Sequence, residues 1–475
     1  MWFINILAAI LPWRMWKRKA LQLPRDYFFL LLYAQSYVLL HLSPTLFVQS
    51  GVEGLAGIPD SRLQWSYILI QLSAILLFEW PLLGWYTRAF AVPLKQTRIG
   101  LKLPEPRLSN AIAVSVFAIV FSLTFLGLAI SHGVLRLPHV AEIIAELFVD
   151  LPTPVYAVHR LFVYSGPFLA SVLLVLLLRI KQEPGRRIVA VAVCVTAGTW
   201  LLYALLNYRG LTVLGVATLG GVLLVCRDRS ALGRNNEGQK STLRILIMAG
   251  VVATYGVIVA NNIRFDYDSS GGLRWQHFNP LLDLKDFMPN DRDPNTDLRW
   301  RLDGLDLMAR MTPEAMRTGY AMGEGWKYPA LIGLGQWVSR GAVEKYKLDW
   351  LSDPKVYLLW RYTDLSYIDW PNTFVSDLYG NLAFPGFLLG AFILSAVYRR
   401  GAEALTRPVS ASSLLFGIYM LTQSLDFQQC FAVWLFGLLR AAPILLFLFF
   451  VNPFQDAPTS LHQAPLKHFK TEGYA

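Results

Sequence analysis

Charge is scarce in this chain. Asp, Glu, Lys and Arg make up only 16% of its 475 residues, against 55% hydrophobic, and the mean hydropathy is +0.41. A typical soluble domain is about 25% charged, so the scarcity argues against an ordinary soluble protein. Cysteine is rare too. Cys194, Cys226 and Cys430 lie in or near apolar runs, with no C-x-x-C spacing. A disulfide framework and a cysteine zinc site are therefore excluded, and small packing residues are left. No P-loop, HExxH, GxSxG or Cys/His cluster with metal-ligand spacing occurs. The chain thus lacks the residues for nucleotide hydrolysis, zinc-peptidase chemistry and nucleophile-elbow hydrolysis. No internal repeat or low-complexity tract stands out.

What the chain has is long apolar runs. "AIAVSVFAIVFSLTFLGLAI" (111–130) holds no charge, and 20 such residues cross a roughly 30 Å hydrocarbon core as a helix. In lipid the backbone must satisfy its own hydrogen bonds, so such runs are helical. The expected fold class is an all-α polytopic membrane protein. Ten spans are expected, at 27–49, 66–87, 110–131, 161–179, 188–206, 210–226, 245–262, 380–398, 411–426 and 432–452. The run at 1–13 is short for an eleventh and suits an interfacial helix, since "RMWKRK" follows it. Its basic residues come after the apolar run, opposite to a cleaved signal peptide.

The net charge of +11 follows the membrane instead of pointing to nucleic acid. One set of alternate loops plus the C-terminal tail carries 24 Lys and Arg, whereas the opposite short loops carry four: Arg62, Arg136, Arg160 and Arg209. Positive-inside logic places the first set in the cytoplasm. The organisation expected is a seven-span bundle (1–262), a large outward loop (263–379), C-terminal membrane helices (380–452) and a cytoplasmic tail (453–475).

Several residues in or beside the outward face could carry chemistry. Arg209 sits in "NYRG" (207–210), a hairpin between two apolar helices. An arginine at such a depth meets an anion or a carboxylate, or else snorkels to the interface. In "RWRLDGLDLMARM" (299–311), Leu302, Leu305 and Met308 share one face of a helix, and Asp303, Asp306 and Arg310 share another. This pattern predicts an amphipathic helix on the membrane surface, with Asp306 and Arg310 on a solvated face. Arg299 and Arg301 precede it, where a helix N-terminus favours anions and two guanidiniums suit a phosphate or pyrophosphate. Further along the loop, Trp326, Tyr328, Trp337, Trp360, Trp370 and Tyr379 offer faces for sugar rings, or alternatively form an interfacial belt. Asp364, Asp369 and Asp377 are candidate general bases, as is His277, the one histidine of this loop. Arg440 lies inside the last span, with Asp426 or Glu79 as conceivable partners.

"NYRG" between paired spans, one large outward loop and then "DLYGNLAFPGFLLGAFILSAVYRR" (377–400) together resemble the bacterial oligosaccharide repeat-unit polymerases, the Wzy-type O-antigen polymerases. In that family an acidic or small residue, Leu-Tyr and an Asn-Phe-Gly-like turn precede a Gly-rich span. Here the run is Asp377-Leu378-Tyr379-Gly380-Asn381, and it departs from the family at Leu382-Ala383, where Phe-Gly is usual. The resemblance implies a fold like the C-type membrane glycosyltransferases. It implies a multi-pass enzyme of the inner membrane, with its large loop in the periplasm. Such an enzyme takes undecaprenyl-pyrophosphate-linked oligosaccharides and joins them into O-antigen, exopolysaccharide or capsule, with no cofactor, metal or nucleotide. Its partners would be the lipid bilayer, a chain-length regulator and a flippase, and no nucleic acid. On this reading Arg209, Arg299 and Arg301, with Arg440, hold the pyrophosphate. Asp303 or a later aspartate orients an arginine or activates the acceptor hydroxyl.

Other readings compete. An O-antigen ligase performs the same chemistry on a lipid A-core acceptor and carries a functional histidine in its outward loop. Only His277 lies there, with no motif around it. A polysaccharide transporter or flippase favours inverted repeats and small outward loops, neither of which is seen. An acyltransferase lacks its paired His/Asp motif, and a structural subunit is the remaining reading.

Overall fold

The computed structural model describes residues 1–17, 21, 26–51, 64–88, 251, 255, 259, 278–279, 302–327, 354–363, 373–406, 417, 420–421, 424 and 430–440. Among them all regular structure is helical and no strand occurs. Of the expected spans, those between 110 and 226 lie outside the described residues, and those at 245–262 and 411–426 are described only at scattered positions.

Helix α1 covers Trp2–Lys17. At 16 residues it is about 24 Å long, shorter than a membrane core. Helices α2 (Tyr27–Ser50) and α3 (Gln64–Arg88) are long and apolar enough to cross a membrane. They match the expected spans at 27–49 and 66–87 within two residues at each end. They pack antiparallel. Phe29 stacks on Tyr86 at 3.8 Å between ring centroids, and the Tyr86 hydroxyl donates to Asp26 Oδ1, just before α2, at 2.7 Å.

Each long helix contains a π turn, Val38–Leu42 in α2 and Ala74–Glu79 in α3. A π turn shifts the hydrogen-bond ladder by one residue, so in α2 the Ser43 amide donates to Val38 O, and Pro44 beside it has no N–H to give Leu39 O or Leu40 O. In α2 these carbonyls find outside partners. Leu40 O accepts from the Gln71 side chain at 3.3 Å, and Leu39 O accepts from the Gly304 amide at 3.0 Å. The second bond brings residue 304 to α2. Leu39 lies 11 residues before Ser50, the end of α2, so the bond forms about 16 Å down the helix axis.

From Gly304 the chain enters α4 (Asp306–Thr318), which packs on the start of α3, on α5 (Pro354–Thr363) and on α6 (Phe374–Leu382). The expected surface helix with one solvated face is corrected here. Asp306, Leu307, Met308, Ala309, Arg310, Met311 and Thr312 are all buried, because α4 has helices against both faces. The charged face looked solvated only because its partners come from distant parts of the chain.

After α6 the chain turns at Ala383 into α7 (Phe384–Thr406), which packs along α3, and α8 (Phe431–Arg440) packs on α6. The apolar run expected as one span from 380 to 398 is thus broken near its start. Ala383 has φ +57° and ψ −147°, a backbone shape almost reserved for glycine. It is held by satisfaction of the last carbonyls of α6. Gly380 O accepts from the Ala321 amide and Asn381 O from the Met322 amide, at 3.1 and 3.0 Å. Gly386 follows because any Cβ there would stand 2.3 Å from Leu378 O.

Two substitutions test this turn. Ala383→Gly relieves a strained backbone and should stabilise the protein by about 1 kcal/mol. Gly386→Ala should destabilise it by about 1–3 kcal/mol through backbone overpacking. Thermal unfolding of the detergent-solubilised protein, followed by tryptophan fluorescence, reads both.

Candidate functional site

The start of α4 is a buried charge centre. Asp303 Oδ1 accepts from the amides of Leu305 and Asp306 at 3.1 and 3.0 Å, so its carboxylate satisfies donors that a helix start leaves open. Asp306 Oδ1 accepts from the Tyr67 hydroxyl of α3 at 2.5 Å and from Arg310 Nε at 2.7 Å. Both side chains of the Asp306–Arg310 pair are fully buried. Gly304 admits this approach, because a Cβ would stand 3.0 Å from Thr373 Cγ2 and 3.1 Å from Leu39 O.

A second centre surrounds Asp377. Its Oδ2 accepts from Trp326 Nε1 and from the Ala432 amide at the start of α8, both at 3.1 Å. Its Oδ1 accepts from Asn381 Nδ2 at 3.0 Å, and Asn381 Oδ1 accepts from the Gly323 amide at 3.0 Å. One carboxylate thus ties α6, the turn Glu324–Trp326 and α8 together. Beside it the Tyr379 hydroxyl lies 2.9 Å from Thr312 Oγ1 of α4, and its ring stacks on Phe387.

The third group is exposed. Glu324 Oε2 accepts from the Tyr357 hydroxyl at 2.5 Å and from Arg361 Nη1 at 2.8 Å. The hydrogen bond from Tyr357, then the Arg361 charge, hold the Glu324 carboxyl below its ordinary range. Burial and the Glu324 bond push the Tyr357 hydroxyl up. Trp360, 40% exposed, lies 6.5 Å from the Tyr357 ring, and Trp326 is half-buried two residues from Glu324. A carboxylate that stays ionised is a weak proton acceptor. Its work here is to hold Arg361, a half-exposed guanidinium beside aromatic rings. Such a surface suits an anionic sugar or a phosphate.

The sequence-derived candidates divide accordingly. Trp360 lies beside Tyr357, which bonds to Glu324, whereas the Trp326 indole N–H is held by Asp377 and its ring packs on Phe431. Tyr379 is fully buried and offers no face to a sugar; it belongs to the core. Asp303 is engaged at the start of α4. Glu79, considered as a partner of Arg440, pairs with His41; Arg440 ends α8, and its side chain is outside the described residues. Arg209, Arg299, Arg301, His277, Asp364, Asp369, Tyr328, Trp337 and Trp370 also lie outside them. Glu324 and Arg361 were missed. Only the Tyr357/Arg361 spacing of one helical turn was visible, and nothing local joined it to Glu324. Among the described residues no group of three or more His, Cys, Asp or Glu is placed to hold a metal. No family model, curated protein or solved structure matches the chain.

The buried pair gives a quantitative test. Asp306→Ala strands a buried guanidinium and should cost about 3–5 kcal/mol. Glu314→Gln, which breaks the exposed pair with Arg317, should leave the unfolding midpoint unchanged. Parallel denaturation in one detergent compares the two.

Proposed function

We propose that this chain is a membrane glycosyltransferase that joins lipid-linked oligosaccharide repeat units at the outward face of the bacterial inner membrane. One observation carries the reading. The 377–400 run, which carries part of the resemblance to repeat-unit polymerases, and the loop stretch that follows Arg299 and Arg301 lead into segments that pack together against α3. Gly304 abuts Thr373, Thr312 meets Tyr379, and Asp306 is held by Tyr67 of α3. The turn at Ala383 adds support. The family places glycine at that step, and this chain keeps a glycine-like backbone there while carrying alanine.

On this reading the polytopic bundle presents the 263–379 loop to the periplasm. Arg209, Arg299 and Arg301 hold the pyrophosphate of the donor lipid. The bond between the anomeric carbon and the pyrophosphate oxygen breaks, and the hydroxyl of the acceptor's terminal sugar forms the new bond. The hydroxyl proton passes to a base, and the lipid pyrophosphate leaves with its charge balanced by guanidiniums. Asp303 and Asp377 are committed to holding helices, so the base comes from Asp364, Asp369 or His277. The exposed Glu324–Arg361 pair, with Trp360 beside it, guides the glycan.

The test is a surface-glycan gel from a deletion strain complemented with wild type, Arg209→Ala, Arg299→Ala or Trp360→Ala. Both arginine variants should leave a single repeat unit at normal membrane levels of the protein. Trp360→Ala should shorten the polymer without abolishing it. Long polymer accumulating on the carrier lipid in the deletion strain would make the protein a ligase. Unchanged glycan throughout would end the glycosyltransferase reading.

A further inference from the structure

The two π turns meet at a charge that the proposed glycan chemistry does not use. His41 lies in the π turn of α2, Glu79 closes that of α3, and both side chains are fully buried. His41 is the fifteenth of 24 residues in α2 and Glu79 the sixteenth of 25 in α3. The pair therefore sits near the middle of both helices long enough to span a membrane. An ionisable pair at such a depth is costly and marks a proton or ion pathway by default. π turns likewise concentrate at functional sites.

The hydrogen bonds leave room for a proton to move. His41 Nε2 is 2.9 Å from Glu79 Oε1. Ser36 Oγ is 3.4 Å from the same oxygen, and the Tyr33 hydroxyl is 3.3 Å from Oε2. The Tyr33 hydroxyl is also 3.0 Å from the Ala8 carbonyl oxygen of α1, and its single proton can serve either acceptor. The far nitrogen of the ring, Nδ1, is buried and has no hydrogen-bond partner.

The geometry points to a proton-binding site formed by His41 and Glu79 within the membrane helices. In the deprotonated state Nε2–H donates to the Glu79 carboxylate, and Tyr33 and Ser36 help to hold the negative charge. A proton arriving at Nδ1 lets the ring release its Nε2 proton to Oε1. The ring ends neutral with its proton on Nδ1, and Nε2 then accepts from the new carboxylic acid. One proton is gained and no hydrogen bond is lost. The proton's source is water.

Among the described residues, the groups around the pair supply no competing charge. On α2 the titratable neighbours are Tyr33 and Tyr37, whose ring lies 6.0 Å from His41. The side of α1 nearest the pair presents Ala8 and, beyond it, Asn5, which bonds to Thr45. On α4, Asp306 and Arg310 pair with each other. Helix α7 meets the π turn of α3 through apolar contacts such as Gly390 beside Phe78. Its Arg399 and Arg400 pair with Glu403. The site stands whether or not the chain joins glycans.

The experiment uses the full chain in lipid nanodiscs. Infrared difference spectra are recorded between the alkaline and acid ends of the pH range over which the protein stays folded. Wild type should gain a protonated-carboxyl band that Glu79→Gln lacks, and Tyr33→Phe should shift its frequency. Nitrogen-15 spectra of histidine-labelled wild type should show one ring changing tautomer over the same pH range. Identical infrared spectra for wild type and Glu79→Gln would overturn the proposal. If Glu79→Gln does not fold, the wild-type nitrogen spectra decide alone, and the absence of any ring that changes tautomer would overturn it.

Discussion

The hydrogen bond between the Gly304 amide and the Leu39 carbonyl is the joint on which the rest depends. It forms because the Ser43 amide is taken by Val38 O and Pro44 has no N–H, which leaves the Leu39 carbonyl without a helical donor, and because residue 304 has no side chain to hold the backbones apart. Once it is made, the start of α4 lies deep against α2. Asp306 then reaches Tyr67, Arg310 must be buried with it, and α6 follows through Thr373 and Tyr379. Irregular backbone at such depth is tolerated in a membrane only when protein covers it, and here α3, α5 and α6 provide the cover.

The polar groups in this core have divided duties. Asp303 and Asp377 each accept several donors and hold helices in place, which makes them structural carboxylates. Asp306 and Arg310 neutralise each other. Glu324 and Arg361 are the accessible charges, seated next to tryptophan and tyrosine. A carboxylate whose oxygens are fully occupied by amide and indole donors can position a site but is poorly placed to take a proton from substrate.

Legibility in the sequence followed the range of the interactions. The apolar runs at 27–49 and 66–87 declare their helices because a span is a local, compositional feature. The break at Ala383 was hidden, since alanine gives no sign of a left-handed turn and the run reads as continuous. The helix after residue 302 was visible from its spacing, yet its location was misread. Asp306 and Arg310 one turn apart look like an exposed pair until Tyr67, 239 residues away, is brought beside them. His41 and Glu79 are single polar residues in separate apolar runs, and only the antiparallel packing of α2 on α3 reveals that they meet. Glu324 and Arg361 likewise share no local signal.

The separation of Tyr67 and Asp306 has a consequence for how the protein is made. At about 5–20 residues per second, roughly 10–50 s pass between synthesis of α3 and synthesis of the helix that caps it. Through that interval the α2–α3 hairpin has the Leu39 carbonyl uncovered and the Tyr67 hydroxyl without its carboxylate. The waiting hairpin already satisfies its most costly group internally, since Glu79 bonds to His41, Tyr33 and Ser36 of the same hairpin. The order of the chain thus lets the two early helices satisfy their buried carboxylate by hydrogen bonds first and defers the long-range joint until residues near 304 are made.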